Sequence, residues 1–212
     1  MPRKKAGSSD EKATARGGQR LVGPVSRGEV AVYQMKIVLI DVETPIWRDF
    51  RVPASIKLSK LSDVIQIAMG WQNEHLHEFS VGEMRIGVSD PEYASVGTEI
   101  IDERKIRLKD VVAGEGGEFT YVYDFGDEWV HKLIVKEVLS TKEEEALPRC
   151  LAGARRCPPE DCGGPWGYAK LIEAIADPSH PDHDEMLGWV GGKFDPERFD
   201  LRGINRKLQR LK

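Results

Sequence analysis

The chain has only three cysteines in 212 residues, all between positions 150 and 162, which excludes a disulfide framework. No apolar run approaches the roughly 20 residues that a membrane helix needs. The opening stretch, "MPRKKAGSSDEKATARGGQR", has basic residues but no apolar core, so it does not read as a secretory signal. No glycine-rich phosphate loop or kinase catalytic loop accompanies the "DFG" at 124–126, so that triplet carries no kinase meaning. Internal repeats are also missing. These absences lead to the expectation of a reduced, cytoplasmic protein that makes no membrane contact.

What is present suits one ordinary folded domain. Hydrophobic residues make up 40% of the chain and charged ones 31%, enough to build a core and a solvated surface. The charge is uneven. Residues 1–27 hold seven Lys/Arg against Asp10 and Glu11, a net of +5, which leaves about −9 on the remainder of a chain totalling −4. With almost nothing to bury, residues 1–29 are expected to be a disordered basic tail, and 30–212 a single domain. A basic arm can contact phosphate, through Arg3, Lys4 and Lys5 here, or simply keep the protein soluble.

From Val30 the pattern becomes ordered. "YQMKIVLIDV" (33–42) and the alternating "PIWRDFRVP" (45–53) predict a hairpin. Leu61, Val64, Ile65 and Ala68 predict a helix started near Ser59 and stopped at Gly70. One or two strands are expected over 75–88, broken at Gly82, then a loop over 89–105. Residues 105–112 stay ambiguous. "YVYDFGDEWVHKLIVKEV" (121–138) reads as a second hairpin, with Phe119, Tyr121, Tyr123 and Phe125 on one face and Trp129, His131, Leu133 and Val135 on its partner. The Pro- and Gly-rich "CLAGARRCPPEDCGG" is expected to lack regular structure. Three helical pieces close the chain, starting near Pro165, near 182 and around Leu201. Strands first and helices last predict an α+β fold, a mainly antiparallel sheet covered by helices on one side, with a helical C-terminal part.

The chemistry-bearing residues fall in the second hairpin and its neighbours. An aromatic stripe is first of all a core. Against that bland reading, His75 and His77 stand two apart, so on a strand they would point the same way. His131 sits among apolar neighbours and needs a partner. Zinc held by His75, His77, Cys157 and Cys162 is one reading, although C-x6-C-x4-C is not the usual knuckle spacing. A His pair bonded to carboxylates or backbone is the other. No cofactor is otherwise implied.

"GWQNEHLHEF", "YVYDFGDEWVH", "PPEDCGGPWGY" and "FDPERFD", in this order, resemble the plasmid ORF-three-like family, whose members are often labelled transposon passenger TnpR proteins. The likeness spans about residues 32–210. It implies an α+β domain of uncharacterised function, and its motif positions fall here on Trp71, His75, His77, Asp124, Gly126, Asp127, Trp129, His131, Pro158, Pro159, Glu160, Asp161, Gly163, Gly164 and Tyr168. Recombinase chemistry needs an activated Ser beside clustered Arg, and no such arrangement is recognisable.

Two functions follow as expectations. One is a non-catalytic binding module associated with plasmids or mobile elements, contacting nucleic acid or a protein partner, with Arg206 and Arg210 of the last helix joining the basic tail. The alternative is a metal-dependent hydrolase or nuclease. In both, a cleft is expected where Trp71, His75, His77, Asp124, Asp127, Trp129, His131, Glu160, Asp161 and Tyr168 converge.

Overall fold

A computed structural model of the chain describes residues 29–88, 100–142 and 146–211. The expectations for the basic tail, Arg3, Lys4 and Lys5 included, lie outside the described residues. Among the described residues eight strands form one sheet, β1 (Glu29–Leu39), β2 (Trp47–Pro53), β3 (His77–Val81), β4 (Met84–Gly87), β5 (Ile100–Asp102), β6 (Glu118–Tyr123), β7 (Trp129–Lys142) and β8 (Arg149–Ala154). Their spatial order is β5-β4-β3-β6-β7-β1-β2-β8. Every pairing is antiparallel except that of β4 with β5. The described residues also form five helices: α1 (Leu58–Met69), α2 (Leu108–Val111), α3 (Gly164–Ala176), α4 (His183–Trp189) and α5 (Leu201–Leu208).

The register explains the core. Residues directly opposite one another share a sheet face. Phe79 faces Tyr121, Tyr121 faces His131, and His131 faces Leu39, so one row crosses four strands. The next row runs from His77 through Tyr123 to Trp129. Another runs from Phe119 through Leu133 and Ile37 to Arg48. All of these except His77 are fully or almost fully buried. Helix α1 closes over this face, burying Leu58, Leu61, Val64 and Ile65, and its Ser62 and Gln66 hydrogen-bond the Tyr121 hydroxyl at 3.0 and 2.8 Å.

Four local expectations need correction. Strand β8 occupies 149–154, where proline and glycine argued against regular structure. It holds because β2 pairs with it on one side and Asn205 of α5 grips it with two bonds, Cys150 N–H to Asn205 Oδ1 and Asn205 Nδ2 to the Cys150 carbonyl, both 2.9 Å. Gly153 is the residue that lets Arg48 and Phe199 approach, since a Cβ there would stand 2.6 Å from Phe199 Cε2. Strand β5 interrupts the expected 89–105 loop, as a short parallel addition at the sheet edge. Helix α1 starts one residue early, capped at Lys57 without a side-chain bond, and ends as expected on Gly70 at φ 107°. Phe125 leaves the buried stripe, because the chain has already turned out of β6 and the ring is exposed.

Candidate functional site: a histidine and three carboxylates

Three segments distant in sequence meet beyond the end of β6. The first is the coil after α1. Gly70 ends that helix, and Trp71 folds back over the sheet, 5.3 Å from the Tyr123 ring and 5.5 Å from the Trp129 ring. The coil then wraps the Tyr123 hydroxyl, which accepts from Glu74 N–H at 3.0 Å. His75 lies in this coil, before β3 begins, and not on the strand beside His77. Both rings still flank tyrosines of β6, His75 against Tyr123 and His77 against Tyr121.

The second segment is the β6–β7 turn. Asp124 adopts φ 58° and Glu128 φ 55°, left-handed conformations that a short polar side chain tolerates by bonding its own turn. Asp124 Oδ1 accepts from Gly126 N–H at 2.8 Å and Asp127 N–H at 3.3 Å. Its Oδ2 is left over.

The third is the loop 157–164. Asp127 Oδ2 accepts from Gly163 N–H at 3.2 Å. At Gly164 a Cβ would lie 2.6 Å from the Asp127 carbonyl oxygen, so glycine permits this approach. Glu160 is anchored by one oxygen only. Its Oε1 accepts from Gln72 N–H at 2.7 Å and from the Tyr123 hydroxyl at 3.1 Å.

The remaining oxygens converge on His75. Its Nε2 stands 3.2 Å from Asp161 Oδ1, 3.7 Å from Asp124 Oδ2 and 3.9 Å from Glu160 Oε2. Donor atoms of His75, Asp124 and Asp161 all lie within 4.8 Å of one another. Asp124 and Glu160 expose 9% and 8% of their side chains, whereas Asp161 exposes 68%. His75 Nε2 and Glu160 Oε2 are both buried atoms without a hydrogen-bond partner among the described residues. Buried polar atoms are rarely left so. Three carboxylates drawn this close also repel one another unless positive charge stands among them.

The other expected residues take different roles. His77 Nε2 is 2.8 Å from Glu103 Oε2 and stays with that partner. His131 is wholly buried. Its Nδ1 lies 3.2 Å from the Tyr121 carbonyl and its Nε2 accepts the Trp71 indole N–H at 3.4 Å. Donation to that carbonyl leaves the neutral tautomer with its lone pair on Nε2, and burial pushes the pKa down to about 4. Trp129 is fully buried core. Tyr168 is buried on α3 with its pKa raised to about 12 by burial, away from the histidine. Cys157 and Cys162 share the loop but not the cluster. Burial pushes both thiols up, Cys162 to about 12. The donors that meet among the described residues are those of His75, Asp124 and Asp161, without His77 and without either thiol. Arg206 and Arg210 are exposed, on the last turn of α5 and just beyond it.

Sequence reasoning missed two contributors. Tyr123 was legible as core, yet its hydroxyl joins the coil to the loop. A tyrosine in place of phenylalanine on an apolar stripe was the available signal. Arg48 is buried on β2, giving its guanidinium to the carbonyls of Ala68, Trp47, Ala154 and Arg155 at 2.7 to 2.8 Å, which ties α1 and β8 to the sheet. An arginine opposite Ile37 in an apolar strand marked it.

Residues 31–203 match the family model described as plasmid pRiA4b ORF-3-like protein. An uncharacterised protein, y4hQ of Sinorhizobium fredii, is 38% identical over 183 residues, covering 85% of this chain and 92% of that one. The crystal structure of MM3350, a protein of unknown function from Methanosarcina mazei Go1, superposes with a TM-score of 0.71 at 33% identity, covering 82% of this chain and 97% of the other. The described residues include no helix long and apolar enough to cross a membrane. By sequence, the chain belongs to the plasmid pRiA4b ORF-3-like family.

Proposed function

We propose that the chain is a binding module built round one divalent cation, held by His75 Nε2, Asp124 Oδ2, Glu160 Oε2 and Asp161 Oδ1. The observation that carries this reading is the pair of buried, unpartnered atoms, His75 Nε2 and Glu160 Oε2, set among carboxylate oxygens at 3.2 to 3.9 Å. Two ligands on a tetrahedral ion with bonds of about 2.0–2.1 Å stand about 3.3–3.4 Å apart, a spacing that Asp161 Oδ1 and Asp124 Oδ2 approach round His75 Nε2, whereas Glu160 lies outside the group of donors within 4.8 Å of one another. Asp124 and Glu160 each spend their second oxygen on protein donors, the outer bonds that orient ligating carboxylates. Glu160 Oε2, the farthest from His75, would move in to close the shell.

One imidazole and three carboxylates suit zinc or manganese. Four protein donors fill a tetrahedral shell, as in structural zinc sites, which supports a binding module over a hydrolase or nuclease. The cation would fasten the 157–164 loop and the β6–β7 turn to the coil after α1. Protein purified without a histidine tag should carry about one equivalent of zinc or manganese by elemental analysis. Stripped protein should bind zinc in calorimetry, with His75→Ala and Asp124→Asn weakening affinity by about tenfold or more. A metal-free preparation whose melting temperature zinc does not move would mean the cluster is an ion pair between His75 and its acids.

A further inference from the structure

A second site lies on the other flank of the 157–164 loop, where the chain enters α3. A cavity of about 460 Å³ opens between the 41–44 turn, the first two turns of α3 and the segment at 196–197. That volume is in the range of small-molecule sites, about 300–1,000 Å³. Its walls are largely apolar, formed by Val42, Pro165, Trp166, Ile172 and Pro196. Trp166 leaves 71% of its surface in water although it is among the costliest side chains to expose. Its ring already engages one cation, the Lys170 ammonium 3.3 Å from the ring centroid.

The polar groups are unequal in sign. Asp41, Glu43, Glu197 and Arg155 line the cavity. Arg155 is spent, since it donates to Glu197 Oε1 at 2.9 Å and to the Pro45 carbonyl at 3.0 Å. Asp41 and Glu43 have no hydrogen-bond or ion-pair partner among the described residues. Two carboxylates without a partner among the described residues therefore rim an apolar pocket, and the aromatic platform at its mouth carries the Lys170 ammonium on its ring. An organic anion would meet repulsion there. A neutral aromatic would gain the stacking and leave the charge unused. A planar aromatic carrying a protonated amine uses both.

We infer that this cavity binds a small aromatic amine, its ring against Trp166 and its ammonium toward Asp41 and Glu43. The inference stands on the cavity alone and does not require the cation centre. Three probes that share one ring separate the contributions: tryptamine, neutral 3-ethylindole and indole-3-propionate, titrated by ligand-observed NMR. Tryptamine should bind about tenfold tighter than 3-ethylindole, a difference of about 1.4 kcal/mol, and the acid should not bind. Asp41→Asn with Glu43→Gln should erase the tenfold preference while 3-ethylindole binds as before. Trp166→Ala, at an exposed position that leaves folding intact, should weaken both. Equal binding of all three probes, tighter binding of the acid, or no binding at about 10 mM would overturn the inference. So would tryptamine binding that survives all three substitutions, since the contact would lie elsewhere. Association that grows with protein concentration and disappears in Trp166→Ala would assign the face to a second copy of the chain and overturn it too.

Discussion

His131 makes a prediction whose size follows from its surroundings. The imidazole is fully buried between Tyr121 and Trp71, with one nitrogen 3.2 Å from a carbonyl and the other accepting an indole N–H. A second ring proton would collide with that N–H and carry charge into the core. Burial accordingly lowers the pKa from 6.5 to about 4. Because the folded value is the lower one, the unfolded chain takes up the proton first as pH falls. The stabilisation is complete above pH 6.5 and is lost progressively toward pH 4. The linkage relation gives about 2 kcal/mol lost by pH 5 and about 3 kcal/mol by pH 4. Urea unfolding of the wild type and His131→Gln across pH 5 to 8 isolates this contribution, since other titrating groups are common to both and cancel. The stability gap between the two proteins should be constant from pH 7 to 8 and shrink by about 2 kcal/mol at pH 5. A gap that stays flat through pH 5 would refute a neutral, depressed His131.

Trp129 is wholly buried against Trp71, so Trp129→Ala should cost on the order of 3–5 kcal/mol in chemical denaturation, and unchanged stability would refute its core role. Gly164→Ala meets both a left-handed φ of 68° and the Asp127 carbonyl, whereas Gly192→Ala meets a φ of 84° in open space. The second should cost about 1–2 kcal/mol, the first clearly more, with weakened zinc affinity; equal costs would contradict the close approach of loop and turn. Burial raises the Cys150 thiol to about 11 and the Cys162 thiol to about 12, with Cys157 also pushed up. Labelling of the native protein by an aromatic disulfide at pH 8 should run about two orders of magnitude slower than in guanidinium. Native labelling at the unfolded rate would show that these thiols are not buried.

The elements with strong periodicity were readable from the chain, and those held by distant partners were not. The β1–β2 and β6–β7 hairpins announce themselves by alternation, and α1 by its Leu61, Val64, Ile65 and Ala68 stripe ending on Gly70. Strand β8 has no such pattern, with Gly153 next to its last residue and Pro148 before it. It is a strand because β2 and Asn205 supply its hydrogen bonds, and Asn205 is 55 residues away. The same limit governs the site. Of the ten residues expected to line one cleft, His75, Asp124, Glu160 and Asp161 come together, whereas His77 pairs with Glu103 and His131 and Trp129 are buried in the core. The two-residue spacing of His75 and His77 suggested a shared ligand, but the strand begins at His77, and Glu103, outside every motif, takes that histidine. The cysteines suggested thiolate ligands, but neither Cys157 nor Cys162 joins the donors that meet round His75. Spacing carries no information on burial.

The claim that Asp124, Glu160, Asp161 and His75 form a cation centre is met most directly by anomalous diffraction from a crystal of the untagged protein grown with zinc, with data collected on both sides of the zinc edge. The account predicts one strong anomalous peak about 2.0–2.2 Å from His75 Nε2 and from carboxylate oxygens of Asp124 and Asp161, with Glu160 drawn in as the fourth ligand. Electron density showing His75 hydrogen-bonded directly to these carboxylates, with no anomalous peak among them, would contradict it.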